Sequence, residues 1–307
     1  MPRHELTLRT VGRHPRVALV LDEFDALQKA RLIESHALAI EEAWGYVVAN
    51  YEEFESDMLA SVLRVELYHG SADLTGIMHR LCRRLVNLLS VGRAYLDQMD
   101  RAVRDLYGDA SDQSRRVRSS CSAEYDAKLG YRVCYHLRNH VHRGFPVHGI
   151  TSGGGWQKRP DGASVRTEYV TPRLSVSALS DDREFKPDVL RQLEDIGERH
   201  DLKPLVRQFV ESLSRIHGCA RELLAADVAQ AEVAVRSAIE RYRAELGERE
   251  STIGLAAYAY GEDESEPPLR FDVATSGSER LLSLKRKNKV PLHIERFVVT
   301  SEAVPLN

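Results

Sequence analysis

The sequence predicts a mainly α-helical protein: a bundle of long antiparallel helices, one inserted β-hairpin, and a small C-terminal appendage of β or coil structure. Three observations carry this. Apolar residues recur at three- and four-residue steps over long stretches, the signature of amphipathic helices. Two-residue alternation and turn chemistry are concentrated between about residues 148 and 180. Beyond residue 250 the helical period gives way to proline, charge runs and short alternating segments. The domain organisation this suggests is a helical unit over 1–250 and the appendage over 251–307.

The composition permits a substantial core. Of 307 residues, 43% are hydrophobic and 29% charged, and the net charge is -3. A polycation is excluded, so any nucleic-acid contact needs a local basic face. The cysteines (Cys82, Cys121, Cys134, Cys219) form no CxxC pair, which fits reduced thiols in a cytoplasmic protein. Val17 to Leu21 is the longest apolar run near the start, far too short for a membrane span.

Residues 1–21 carry little period beyond a short strand near Arg16 to Leu21. From Asp22 to Tyr68, the positions Ile40, Trp44, Val47, Tyr51, Phe54, Met58, Val62 and Val65 trace one helical face, which His69, Gly70 and Ser71 end. A second helix over Ala72 to Tyr107 carries Ile77, Leu81, Leu85, Leu88, Leu89 and Leu96. A third is expected from Ser114 to Arg143, stopped by Gly144 and Pro146. The glycines of Ser152 to Gly155 read as a flexible hairpin entry. Val165 to Thr171 and Leu174 to Leu179 read as strands, and Asp181 or Asp182 as a helix cap. Helices over Pro187 to His200 and Lys203 to Glu248 follow, then an acidic run at Glu262 to Glu266, a strand at Leu269 to Ala274 and extended chain from Pro291 to Thr300.

The densest chemistry lies between Tyr131 and His148 (YRVCYHLRNHVHRGFPVH). At 100° per residue, Tyr131, Tyr135, Arg138 and His142 share a stripe, beside an apolar one of Val133, Cys134, Leu137 and Val141. One turn apart, Arg138 and His142 can reach the same phosphate. His142 is suited to take the proton of a ribose 2′-hydroxyl, and Arg138 to stabilise charge on phosphorus. Asn139 can orient His142 or donate to the phosphate, and Tyr131 and Tyr135 can stack on a base. The plainer reading is that Arg and His solvate a helix C-terminus and complement its dipole. On another face, His136 and His140 are spaced to bind a metal, but the sequence announces no third ligand and lacks the Glu of HExxH. The arginines Arg80, Arg83, Arg84, Arg115, Arg116 and Arg118 form a further basic set, whose plain reading is a solvated face paired with local carboxylates.

The phrase Leu137-Arg138-Asn139-His140-Val141-His142-Arg143-Gly144 resembles the signature of the HEPN superfamily. These are helical-bundle domains, many of them metal-independent ribonucleases of toxin–antitoxin and antiphage systems. The signature is an Arg, often followed by Asn, with four to six residues before a His; here three intervene. The stretch RRLVNLLSVGRAYLD (83–97) is similar to such proteins as well. The resemblance covers roughly residues 22–150. It implies that Arg138 binds phosphate, Asn139 supports it and His142 is the base; Tyr131, Tyr135 and Arg143 are the further residues expected to contact RNA. It further implies no cofactor, a homodimer, and an antitoxin or defence-system partner. The rival expectation is a non-catalytic helical scaffold or protein-interaction module.

Overall fold

The computed structural model describes residues 3–68, 72–183, 185–246, 251–261 and 268–294. It is mainly α-helical, with eight helices and seven strands among those residues. In chain order these are β1 (Arg3–Leu8), β2 (Val17–Leu19), α1 (Leu21–Leu67), α2 (Leu74–Tyr107), α3 (Asp112–Ala127), α4 (Leu129–His140), β3 (Gly149–Lys158), β4 (Ser164–Ser175), α5 (Val176–Ser180), α6 (Pro187–Ile196), β5 (Arg199–Asp201), α7 (Leu202–Leu246), β6 (Leu255–Tyr260), β7 (Leu269–Asp272) and α8 (Ser276–Lys287). The helix stop expected at 69–71, the acidic run at 262–266 and the extended residues 295–300 lie outside the described residues. The chain divides into two compact units.

The first unit comprises residues 1–42, 98–115 and 219–289. Its sheet is antiparallel in the order β2-β1-β6-β7. β1 pairs with β6 from Arg3↔Tyr260 to Leu8↔Leu255, so the start of the chain and the segment after residue 250 share one sheet. Leu6, Leu8 and Leu19 pack with Phe24, Leu27, Tyr242, Phe271 and Val273 in one core cluster. Within the appendage expected as β or coil, Ser276–Lys287 is the helix α8. Beside its buried Leu281, Ser278 Oγ donates to Glu34 Oε1 at 2.6 Å, and the amide of the C-cap residue Asn288 donates to the Glu41 carbonyl at 2.7 Å. Glu41, 2% exposed, also accepts two bonds from Arg221 at 2.6 and 2.7 Å.

The second unit comprises residues 43–97, 116–218 and 290–307. Trp44 is fully buried, stacked 4.7 Å from His217, whose Nδ1 lies 2.9 Å from the Tyr95 hydroxyl. Arg207 forms a two-pronged pair with Glu55 at 2.8 and 2.9 Å. The inserted hairpin is β3–β4, running from Gly149↔Arg173 to Lys158↔Ser164, with β5 added at Arg173↔Asp201. The glycine run 153–155 is therefore strand rather than flexible entry, and Leu174 to Leu179 splits between β4 and α5. The helical expectation for Pro187 to His200 ends early, because Arg199–Asp201 is drawn into the sheet as β5.

The helix expected over Ser114 to Arg143 is two helices. Lys128 is extended (φ -122°, ψ 111°), and the chain restarts as α4 against α7. Gly130 permits this approach: a Cβ there would stand 2.5 Å from the Leu205 carbonyl oxygen. The Gly130 N–H also donates to Gln208 Oε1 at 2.8 Å. The other end matters more for chemistry, because α4 stops at His140 rather than Arg143.

Candidate functional site

Three helices of the second unit line an open cavity of about 220 Å³. α4 contributes Cys134, Tyr135, Arg138 and Asn139; α2 contributes Leu89, Arg93 and Leu96; α7 contributes Phe209. The helical periods explain the sets. Leu89, Arg93 and Leu96 lie at i, i+4 and i+7 on one face of α2, and Tyr135, Arg138 and Asn139 span one turn of α4. Leu89, Leu96, Cys134 and Phe209 are buried and form an apolar floor. The rim is two guanidiniums, an amide and a phenol.

The rim is ordered by its own contacts. Arg93 is held by Asp97, with Nε donating to Oδ2 at 3.0 Å and Nη2 2.9 Å from Oδ1. Its guanidinium lies 5.7 Å from the Tyr135 ring centroid, and Nη1 donates to the Tyr135 hydroxyl at 3.4 Å. Arg138 donates to Asn139 Oδ1 at 3.1 Å and meets no carboxylate among the described residues. One of the two positive charges is thus compensated by Asp97 and the other is not. Two forked donors and an amide on an apolar floor suit an anion attached to a flat, apolar group. Burial raises the Cys134 thiol far above its ordinary range, so it acts here as a small apolar side chain.

The predicted site residues divide. Arg138, Asn139 and Tyr135 are together on the cavity rim. Tyr131 is not available to stack on a base: it is 2% exposed, wedged against Phe209 at 5.7 Å and Tyr125 at 6.4 Å. Burial also pushes its hydroxyl pKa up. His142 leaves the predicted stripe, since it follows the end of α4 in a turn closed by Arg143 N–H and Gly144 N–H donating to the His140 carbonyl at 2.8 and 3.0 Å. It is exposed and does not line the cavity.

Arg143 and His140 are engaged elsewhere. Asp182 is buried and takes both, His140 Nδ1 on Oδ2 at 2.9 Å and Arg143 Nη1 on Oδ1 at 3.0 Å. Asp182 therefore locks the turn after α4 rather than capping α6, whose N-cap is Lys186. His136 lies 2.8 Å from the Tyr125 hydroxyl through Nε2, and burial, with Lys186 nearby, holds its pKa below the ordinary imidazole value. No group of three or more His, Cys, Asp or Glu side chains among the described residues is placed to hold a metal ion. Of the basic set, Arg84 is paired with Asp57 and Glu53, and Arg115 with Asp112, as the plainer reading expects.

Arg93 and Phe209 were missed from sequence. For Arg93 a signal existed: an arginine next to Gly92, in phase with Leu89 and Leu96 on an otherwise apolar face. Phe209 carries none, since its period is that of an ordinary core residue. No protein-family model matches the chain, and no curated protein or solved structure is significantly similar to it. No described helix is long and apolar enough to cross a membrane.

Proposed function

We propose that the cavity is a phosphodiester-binding site for RNA and that the chain is a metal-independent endoribonuclease of HEPN type. The observation that carries this is the convergence of Arg93, Arg138, Asn139 and Tyr135 on one open rim, with Arg138 uncommitted to any carboxylate among the described residues. Arg138 and the Asn139 amide hold the scissile phosphate. The ribose 2′-oxygen attacks phosphorus, its proton passing to His142. Arg138 stabilises the charge of the five-coordinate phosphorus, and the 5′-oxygen departs with a proton from solvent, leaving a 2′,3′-cyclic phosphate. No cofactor enters. The resemblance extends the proposal to a cytoplasmic homodimer acting as a toxin or antiphage effector beside an antitoxin or defence partner.

A second reading is favoured by one observation: His142 stands outside the cavity, in a turn. On that reading the bundle is a non-catalytic scaffold or interaction module. The test is RNA cleavage by the purified protein in EDTA, with product ends identified. Cleavage that leaves cyclic phosphates, and is lost in folded Arg138→Ala and His142→Ala, supports the enzyme. Intact RNA with folded, dimeric wild type removes the catalytic reading and leaves the scaffold.

A further inference from the structure

In the sheet order β3-β4-β5, one side of β3 faces no other strand among the described residues, over a length of ten residues. Proteins guard such edges with charge, proline or a bulge, because unpaired backbone groups template another chain. β3 has none of these before its last residue. Gly149 to Gln157 carry no charge and no proline, and the register with β4 is unbroken from Gly149↔Arg173 to Lys158↔Ser164. An open row of N–H and C=O groups takes an extended backbone, and the side chains beside it select which one.

Here the selecting side chains come from β4 and reach across β3. The Tyr169 ring lies over Gly153, where a Cβ would stand 2.7 Å from Tyr169 Oη and 2.9 Å from Cζ. The tyrosine is 49% exposed. Thr151, two residues back on the same face, is crossed by Arg173, whose Nε donates to Thr151 Oγ1 at 2.9 Å. That guanidinium meets no carboxylate among the described residues: Asp201, its register partner on β5, pairs with Lys203 at 3.6 Å. One face of the edge therefore presents a guanidinium and a phenol, donors suited to a carboxylate. The other face differs, because the Glu168 carboxylate lies over Gly154 and repels an acid. We infer that the open edge of β3 docks an extended segment of a partner protein, added as a fourth strand, with an acidic side chain opposite Thr151 or Gly153. Charge complementarity selects the acid, and the contrast between the two faces fixes the register, since a slip of one residue would turn the acid toward Glu168.

The probe is a short fluorescent peptide of alternating Thr and Val with one central Glu, titrated against the full chain by anisotropy, with hydrogen exchange of the β3 amides as the structural readout. The comparators carry Lys or Gln in place of the Glu, or keep the Glu and interrupt the peptide with prolines, which cannot pair along a strand. The Glu peptide is expected to bind about tenfold tighter than the Lys peptide, the scale of one charge-assisted hydrogen bond, with slowed exchange confined to β3; the proline peptide should not bind. Arg173→Glu should reverse the order of the Glu and Lys peptides. If Arg173→Glu does not fold by circular dichroism, Arg173→Gln should bring the Glu and Gln peptides level. Equal affinity of wild type for the Glu and Lys peptides, protection lying outside β3, or no binding of any peptide overturns the proposal. Protection of the β3 amides in the free protein that grows with concentration, alongside a dimer in sedimentation, assigns the edge to a second copy of this chain and overturns the partner segment.

Discussion

Replacing Asp182 with alanine tests the feature on which the chemistry after α4 depends. Asp182 is 8% exposed and accepts from His140 and Arg143 with its two oxygens. The two losses are unequal. The Arg143 side chain is 42% exposed, so solvent screens its pair with Asp182 and that share is under about 1 kcal/mol. The His140 side chain is 5% exposed. Its Nδ1 would lose the bond to Asp182, and an unsatisfied buried donor costs about 1–3 kcal/mol. The sum is about 1–4 kcal/mol. Asp182→Asn keeps one acceptor oxygen and should lose about half of that. Urea denaturation followed by circular dichroism measures both values, with the slope checked for constancy. A loss below about 1 kcal/mol in Asp182→Ala would refute the lock, since it would mean that His140 finds another partner at no cost. The same variant reports on function. The turn held by Asp182 carries His142, so on the proposed ribonuclease function cleavage should fall while RNA binding stays at the wild-type level.

Other expectations follow from the same contacts. Arg221→Ala leaves the Glu41 carboxylate buried without its guanidinium and should cost about 3–5 kcal/mol; the double variant Glu41→Leu, Arg221→Leu should recover most of that in the same urea titration. On the proposed function, Arg138→Ala should lower the slope of log affinity for single-stranded RNA against log salt by about 0.7, the loss of one phosphate contact, with fluorescence anisotropy as the assay. Burial holds both His136 and His148 below the ordinary imidazole value. The unfolded chain then takes up these protons first, so this stability is complete above about pH 6.5 and is lost as pH falls through the lower folded values. In the double variant His136→Gln, His148→Gln the fall in stability on acidification below neutrality should be shallower, measured as midpoint denaturant concentration against pH.

The helices α1, α2 and α7 were legible because each buries an apolar stripe whose period the sequence displays. The unread elements bury polar groups. In β1, His4 and Glu5 are buried beside Leu6, and Glu5 is satisfied by the Tyr260 hydroxyl at 3.0 Å, a partner far along the chain. Alternation in β1 is erased by that burial, and β6 (LAAYAY) is rich in alanine, a poor strand former. α8 hid for a related reason: Ser278 and the C-cap residue Asn288 meet Glu34 and Glu41, so little but Leu281 marks a buried face. Polar burial satisfied across the chain leaves no periodic trace. The same holds within the site, where Arg138 and Asn139 carry a local motif while Arg93 and Phe209 reach the cavity from other helices.

His142 shows where helical phase stops being an argument. Its alignment with Arg138 assumes that each residue turns by 100°, and that holds only while the i→i-4 ladder continues. The last i→i-4 bond of α4 runs from Val141 N–H to the Leu137 carbonyl at 3.1 Å, and His142 N–H turns to the Asn139 carbonyl, three residues back, at 3.4 Å. Gly144 and Pro146 signalled a stop but not its position, which here depends on a tertiary contact. The histidine that phase set aside, His140, is the one fixed by a carboxylate. A Cβ at Gly144 would come within 2.9 Å of its Nε2, so glycine there lets the turn fold back over the His140 ring. The position of His142 relative to the cavity is thus set by contacts of Asp182, His140 and Gly144, none of which belongs to the Arg138–His142 pair. On the proposed function, Gly144→Ala should therefore act as Asp182→Ala does, reducing cleavage at unchanged RNA affinity. Equal loss of both would place these residues in the support of the whole bundle rather than of the turn.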